Sequence, residues 1–129
     1  MEVATQKAIL IDAENKEVKE VEYKDHKDIQ KLLNVSIFTT ALVMNEIKPE
    51  RGDTLFVDDE GLINGTEHFF AIYVEGQGYV FAGNGLIVGP ENYDDEGDYL
   101  GTDNPSHSLN WVMNNVKYLS REQVANRAY

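Results

Sequence analysis

The sequence predicts one α+β domain, mostly antiparallel sheet of about five to seven strands, with a short helix after the first hairpin and a C-terminal helix packed on the sheet. The 129 residues suit one domain of ordinary size. Short apolar and β-branched runs recur between turn residues, which is typical of antiparallel strands. Helical periodicity is confined to two places. We therefore treat 1–129 as a single acidic domain, with an acidic loop over 91–104 and a C-terminal helical segment over 105–127.

The N-terminal part predicts a hairpin followed by a helix. Lys7–Asp12 and Glu17–Tyr23 have strand character and are separated by four turn-forming residues. Asp25 can cap a helix that carries Asp28 in its first turn, where the helix dipole favours an acid. The apolar face of this helix consists of Ile29, Leu32 and Leu33.

The middle of the chain predicts a series of strands. Ser36–Met44 and Asp53–Asp58 are rich in β-branched and apolar residues. His68–Val74 and Tyr79–Ala82 flank a glycine-containing connection and predict a second hairpin. Gly83 and Gly85 predict a bend, after which Leu86, Ile87 and Val88 resume a strand that Gly89 and Pro90 end.

The C-terminal part predicts an exposed, mobile acidic loop followed by helix. Asn104 and Pro105 are a favourable start for that helix. Ser120 and Gln123 have the spacing of a capping box for a final short helix. The residues expected on one face of the main helix are Leu109, Val112, Met113, Val116 and Leu119.

Charge is distributed unevenly along the chain. The formal net charge is −12, yet the segment from Gly52 to Val116 contains no lysine or arginine and twelve acidic residues. Such a segment either promotes solubility or presents a field that attracts a cationic partner. Tyr93 and Tyr99, with Trp111 and Tyr118, are candidate aromatic anchors near it, although Trp111 suits helix-to-sheet packing better. The acids that we predict to bind a basic partner are Asp58, Asp59, Glu60, Glu91, Asp94, Asp95, Glu96, Asp98 and Asp103.

The acidic loop also permits a cation site. Part of it can be laid on a twelve-residue calcium loop with Gly97 at the sharp turn, but Gly89 and Pro90 stand where an entering helix would run. The alternative to partner binding is therefore a small-ligand or calcium-binding module centred on 92–103. The residues near its ligand positions are Asn92, Asp94, Glu96, Asp98 and Asp103.

Other chemistry finds little support in the sequence. With no cysteine, thiolate metal sites and cysteine nucleophiles are excluded. His26, His68 and His107 are isolated, and each is expected to be exposed or hydrogen-bonded rather than a zinc ligand. Two-carboxylate catalysis stays open because acids are plentiful, but no catalytic motif marks it. We predict no catalytic residue, no metal and no cofactor.

Direct contact with nucleic acid or membrane is also not expected. Phosphate binding needs a basic patch, and the charge here has the opposite sign. Gly83, Gly85 and Gly89 follow a strand, but Pro90 comes next instead of a helix, so these glycines suit a bend better than a phosphate loop. The longest apolar run, Phe69–Val74, is far shorter than the ~20 residues of a membrane span.

Three stretches carry a resemblance to a known family. They are Gly52–Leu62 with its Val-Asp-Asp-Glu-Gly-Leu run, the pair Phe69 and Phe70, and the glycine series Phe81–Gly89; the opening Lys7–Glu22 fits as well. Together they resemble a family of small uncharacterised domains carried by bacteriophages and mobile elements. The family brings no assigned activity, so the resemblance implies only that kind of origin and a tendency to act by binding host components.

The leading functional hypothesis is a non-catalytic protein that binds a basic host protein through an acidic face. A nucleic-acid-binding protein is the kind of basic host protein that such a face suits. Such a protein is expected in the bacterial cytoplasm, and it would act as a nucleic-acid-mimicking inhibitor of a host defence or regulatory factor. The hypothesis requires the predicted acids to form a coherent surface. A weak two-carboxylate enzyme and a self-associating structural protein are further alternatives.

Overall fold

The computed structural model describes residues 5–45, 52–60 and 66–126, which form ten strands and three helices. The helices are α1 (His26–Leu33), α2 (Leu109–Asn115) and α3 (Arg121–Ala125). The strands are β1 (Gln6–Asp12), β2 (Glu17–Tyr23), β3 (Phe38–Met44), β4 (Asp53–Asp58), β5 (His68–Val74), β6 (Gln77–Ala82), β7 (Gly85–Val88), β8 (Glu91–Tyr93), β9 (Tyr99–Thr102) and β10 (Val116–Ser120). The predicted α+β class, mostly antiparallel sheet with a C-terminal helix, is confirmed.

The larger sheet has five antiparallel strands in the order β2-β1-β7-β4-β3. Its central strands are buried on both faces, which explains their nearly continuous apolar sequences. Ile9 and Ile87 belong to the cluster of buried residues on one face, and Leu10 and Leu86 belong to the cluster on the other. Both clusters must form for these strands to be buried.

A second sheet and α1 cover the two faces of the larger sheet. The second sheet has the order β10-β5-β6. Its Phe70 and Ile72 pack with Leu55 of β4 in the cluster that contains Ile9 and Ile87, between the two sheets. Ile29 and Leu33 of α1 pack on the opposite side of the larger sheet. Asp25 caps α1 as predicted, because its side chain accepts a hydrogen bond from the Asp28 backbone N–H.

The hairpin predicted around Glu75 is confirmed, and its turn is tighter than predicted. Strand β6 begins at Gln77, so only Glu75 and Gly76 lie between the strands. Both have positive φ, +51° and +83°. This is the conformation of a two-residue type I′ turn, in which glycine is favoured at the second position.

The predicted acidic loop over 91–104 contains a two-stranded sheet. Strands β8 and β9 pair antiparallel with a register shift after Asn92, and Asp94–Asp98 closes the hairpin. The sequence did not indicate these strands because acids and glycines are poor strand formers. We call residues 91–103 the acidic hairpin.

The C-terminal segment over 105–127 is not one continuous helix. Helix α2 ends at Asn115, and Val116 and Leu119 lie in β10, which pairs with β5. The helical period of the sequence could not reveal this strand, because β10 forms through pairing with the edge of β5, which is distant in the sequence. The capping box of Ser120 and Gln123 is confirmed at the start of α3.

Among the described residues, no helix is long and apolar enough to cross a bilayer.

Candidate functional site

The structure divides the nine predicted partner-binding acids into two groups. Thr54 pairs with Val88 and Val57 with Gly85, so Asp58 and its neighbours lie at the Gly85 end of the larger sheet. The acidic hairpin follows Val88 and lies at the other end. The five steps from Asp53 to Asp58 along β4 extend about 17 Å between these ends, at ~3.4 Å per step. The nine acids therefore do not form a single continuous face.

The smaller group, Asp58, Asp59 and Glu60, belongs to the turn after β4. The Asp58 carboxylate accepts a hydrogen bond from the Glu60 backbone N–H, and the Asp59 N–H donates to the Ile37 carbonyl. Asp59 is exposed, whereas Asp58 and Glu60 are half-buried. Turn formation accounts for Asp58, and partner binding by this group stays a prediction.

The larger group lies on the acidic hairpin. Glu91, Asp94, Asp95, Glu96 and Asp98 are all exposed, and Asp103 at its base is half-buried. Asp94 organises the tip, because its carboxylate accepts hydrogen bonds from the backbone N–H groups of Glu96 and Asp98. Asp95, Glu96 and Asp98 are exposed, and their side chains make no hydrogen bond to the described residues. Within 5–45, 52–60 and 66–126, no basic side chain forms an ion pair with these three acids or with Asp94.

Exposed apolar and aromatic side chains share the hairpin with the acids. Tyr93 is 56% exposed, Tyr99 53% and Leu100 64%. The rings of Tyr93 and Tyr99 lie 5.8 Å apart between centroids. Trp111 and Tyr118, the other two candidate anchors, instead pack against the core between the two sheets. The aromatic anchors near the acids are therefore the two hairpin tyrosines.

A cleft of about 460 Å³ lies between the acidic hairpin, the start of α1 and the outer face of the larger sheet. We call it the aromatic cleft. The rings that line it come from β2, β3, β4, β8 and β9, and Phe38 meets Phe56 edge-on with centroids 5.1 Å apart. The five aromatic residues in its wall are Tyr23, Phe38, Phe56, Tyr93 and Tyr99.

The charged groups around the aromatic cleft are Glu91, Asp25 and Lys24, with His26 beside them. The Tyr93 hydroxyl donates a hydrogen bond to a Glu91 carboxylate oxygen. That hydrogen bond is the main reason that the pKa of Tyr93 is raised. Burial raises the pKa values of Tyr23 and Tyr99, and the negative charge of Glu91 raises both further. The field of Glu91 therefore reaches three rings of the cleft.

Thr102 fixes the base of the acidic hairpin to the larger sheet. The Tyr23 hydroxyl donates to Thr102 Oγ1 over 2.7 Å, and Thr102 Oγ1 donates to Gln6 Oε1 over 2.6 Å. The Thr102 backbone N–H also donates to Gln6 Oε1. Because these contacts tie β9 to β1 and β2, the hairpin wall of the cleft is held in place.

The cation site considered for 92–103 differs from a helix-flanked calcium loop, because strands β8 and β9 lie in it. Carboxylate oxygens of Asp94, Glu96 and Asp98 lie within 4.8 Å of one another. Asn92 donates its side-chain amide hydrogen bond to Asp103 over 2.6 Å, so these two residues are joined at the base of the hairpin, away from the tip.

A buried hydrogen-bonded pair joins β4 to the segment before α2. Asp53 is 0% exposed and His107 is 1% exposed, and Asp53 Oδ2 lies 2.6 Å from His107 Nδ1. The Asp53 carboxylate also accepts hydrogen bonds from the Ser106 hydroxyl and from the backbone N–H groups of Ser106 and His107. Burial opposes ionisation, but these donors outweigh it and hold the pKa of Asp53 below its usual value.

This contact satisfies the expectation that His107 is hydrogen-bonded, but the sequence did not reveal its partner. The two residues lie 54 positions apart. The cleft residues Tyr23, Phe38 and Phe56 were missed for a similar reason, since each belongs to a different strand. The one local signal for the Asp53–His107 contact was Asp53 itself. It is an acid at the start of an apolar strand, and a carboxylate buried there needs hydrogen-bond donors.

The fold and site define a small α+β protein with an acidic, tyrosine-bearing hairpin beside an aromatic cleft. The chain belongs to the family described as Domain of unknown function (DUF3846), whose family model matches residues 6–105. The match includes every residue of the cleft and of the acidic hairpin and ends before α2. No curated protein and no solved structure matches the chain.

Proposed function

We propose that this chain is a non-catalytic binding protein whose acidic hairpin attaches to a basic surface of another protein. The observation that carries the proposal is the combination of exposed carboxylates with exposed Tyr93, Tyr99 and Leu100 on one hairpin. Tyrosines are enriched at protein interfaces, where they supply contact area. Charged groups speed association and favour a partner surface of the opposite charge.

The arrangement of the acids supports a partner that otherwise binds nucleic acid. Acid oxygens at the hairpin tip lie within 4.8 Å of one another. DNA carries one negative charge for every ~3.4 Å of helix axis on each strand, and the three carboxylates of the tip likewise concentrate negative charge within a short length. We extend the proposal accordingly: the partner is a basic, nucleic-acid-binding host factor, and occupation of its basic surface inhibits it.

The origin and location proposed for the chain rest on the family resemblance. We propose that it is encoded by a bacteriophage or mobile element and acts in the cytoplasm of a bacterial host. Sequencing the regions that flank genes of this family tests that origin, and chromosomal housekeeping neighbours throughout would contradict it.

The test compares two variants with equal changes in charge. The hairpin variant carries Asp95→Asn, Glu96→Gln and Asp98→Asn, whose side chains make no hydrogen bond in the described structure. The control variant carries Glu14→Gln, Glu20→Gln and Glu22→Gln, three exposed acids of the opening hairpin region. Each variant loses three negative charges, so general charge effects are matched.

The measurement is affinity capture from a lysate of the organism that carries the gene, followed by titration of each captured protein. We expect the original chain and the control variant to retain a basic partner that duplex DNA displaces. The hairpin variant should lose it, and raising salt from about 0.1 M to about 1 M should weaken binding because the Debye length falls from ~10 Å to ~3 Å. Equal capture by both variants would contradict the proposal.

The alternative is a cation-binding module at the hairpin tip, and it is supported by the closeness of the Asp94, Glu96 and Asp98 carboxylate oxygens. Isothermal calorimetry with Ca²⁺ and Mg²⁺ separates the two. A saturable heat that the hairpin variant abolishes would support the alternative. Partner capture that is unchanged by a chelator would support the proposal.

A further inference from the structure

We propose that the aromatic cleft receives an arginine side chain of the basic partner, with its guanidinium held among the tyrosine rings beside Glu91. This inference rests on the proposed function, since it names the group by which that partner is anchored. The inference is based on the presence of aromatic rings and carboxylates in the wall of the same cleft.

The walls of the aromatic cleft have the chemistry that a planar cation needs. A guanidinium stacks on aromatic faces and is attracted by the ring quadrupole within about 6 Å of the ring centroid. Tyr93 and Tyr99 lie 5.8 Å apart, tilted at 58°, and both are more than half exposed. Their rings are therefore accessible from solvent at the mouth of the cleft.

The charge of the cleft selects a cation. Glu91 and Asp25 oppose Lys24, and the exposed carboxylates of the hairpin tip add negative charge just outside. His26 is the remaining titratable group at the α1 wall, apart from the tyrosines. Glu91 lines the cleft and its carboxylate accepts a hydrogen bond from the Tyr93 hydroxyl, so an arriving guanidinium meets a carboxylate beside the rings.

The size and rigidity of the cleft also fit a side chain. Its volume of about 460 Å³ lies within the ~300–1,000 Å³ of typical small-ligand sites. Its hairpin wall is held by the contacts of Thr102 with Tyr23 and Gln6, so little ordering is required on binding. An arginine placed here would lie beside the hairpin acids, which would contact the surrounding basic surface of the partner.

Arginine is favoured over lysine because its planar guanidinium matches two aromatic walls and a carboxylate simultaneously. Lysine carries a compact, strongly hydrated charge that makes weaker use of aromatic faces. The inference therefore predicts a preference between two side chains of equal charge. General attraction to the acidic hairpin would not produce that preference.

The probes are three acetylated, amidated hexapeptides in which glycine alternates with arginine, lysine or citrulline. Citrulline has the shape of arginine without its charge. Binding to the full chain is followed by calorimetry and by NMR of the tyrosine rings. We expect the arginine peptide to bind about five- to thirtyfold more tightly than the lysine peptide, the citrulline peptide to bind more weakly still, and the Tyr93 and Tyr99 ring signals to shift.

Variants locate the site. Tyr99→Leu should remove the preference for arginine over lysine, whereas Tyr99→Phe, which keeps an aromatic face, should retain it. Tyr73→Leu, on the outer side of the smaller sheet, is the matched control and should change nothing. If Tyr99→Leu does not fold, the ring shifts of the original chain decide the outcome.

The outcomes separate this inference from the proposed function. Equal binding of arginine and lysine peptides that only the hairpin variant weakens overturns the arginine site and supports the acidic hairpin. Unchanged affinity of the arginine peptide for the hairpin variant, together with an arginine preference that Tyr99→Leu removes, supports the cleft and contradicts the hairpin. Equal binding of citrulline and arginine overturns the inference in favour of a neutral planar ligand. Binding of no peptide at low salt contradicts both.

Discussion

Asp53 Oδ2 lies 2.6 Å from His107 Nδ1 in the interior, and this contact attaches the segment before α2 to the first residue of β4. Because an ionised carboxylate only accepts hydrogen bonds, Nδ1 carries the proton that is shared. The rings of Trp111 and His107 pack edge-to-face, with centroids 4.3 Å apart. The contact therefore couples a buried charge to the packing of α2.

Asp53→Asn is expected to destabilise the fold strongly. The amide keeps the size of the side chain but replaces one of the two accepting oxygens with an NH2 group, so the donors of either Ser106 or His107 lose their acceptor. Breaking one partner of a buried pair costs about 3–5 kcal/mol. Urea unfolding measures the change, and Asp95→Asn, at an exposed acid, is the control expected within about 0.5 kcal/mol of the original chain.

Asp53 also predicts how stability depends on acid pH. Its pKa in the folded chain lies below its ordinary value of 3.8, so the unfolded chain binds a proton more readily. The stabilisation by Asp53 is therefore fully present above the unfolded-state pKa and is lost as the pH falls through the folded-state pKa. The free energy of unfolding should be compared for the original chain and Asp53→Asn between about pH 6 and pH 3. Protonation of the other acids relieves their mutual repulsion in both proteins, so the difference between the two curves isolates Asp53. Parallel curves for the two proteins would contradict it.

Most elements of the fold could be predicted from local sequence. The strand β4 was predicted with its observed bounds, and the cap of α1 by Asp25 was read from residue type alone. The errors arise where distant contacts decide. Val116 and Leu119 continue a helical period, yet they form a strand because β5 offers them an edge.

The candidate site was predictable only in part. The acids of 91–103 could be predicted because the sequence shows a long segment without lysine or arginine. Their division from Asp58 was not, since it depends on β4 and β7 pairing antiparallel. The aromatic rings of the cleft come from five strands, and no local pattern places Phe38 and Tyr99 in one cleft.

Calcium binding at the hairpin tip is expected to be weak. Ca²⁺ takes 6–8 oxygen ligands, and the described tip brings together three carboxylates, of which Asp94 already accepts two backbone hydrogen bonds. We expect no saturable heat below about 1 mM Ca²⁺, near the weak end of protein calcium sites. Saturation at micromolar Ca²⁺, lost in Asp94→Asn, would contradict this expectation.

Gly89→Ala is expected to displace the acidic hairpin. A Cβ built at Gly89 would lie 2.1 Å from the Asp103 carbonyl oxygen and 2.7 Å from that of Asn104, and both are backbone atoms that cannot rotate away. The Asp103 N–H also donates to the Pro90 carbonyl over 2.9 Å, so the clash falls where the two arms of the hairpin meet the fold. We expect a loss of about 1–3 kcal/mol in the free energy of unfolding, typical of overpacking.

The same substitution tests whether the hairpin must be held in place to bind. Gly78→Ala is the matched control, because the three atoms nearest to its Cβ would all belong to the Tyr73 ring, a side chain that can move. At a temperature where both variants are folded by circular dichroism, Gly89→Ala should weaken binding of the basic partner and broaden the Tyr99 ring signal, while Gly78→Ala should leave both unchanged. Undiminished partner binding by a destabilised Gly89→Ala would mean that the acids act as a flexible charged segment, without the fixed hairpin wall that the arginine site requires.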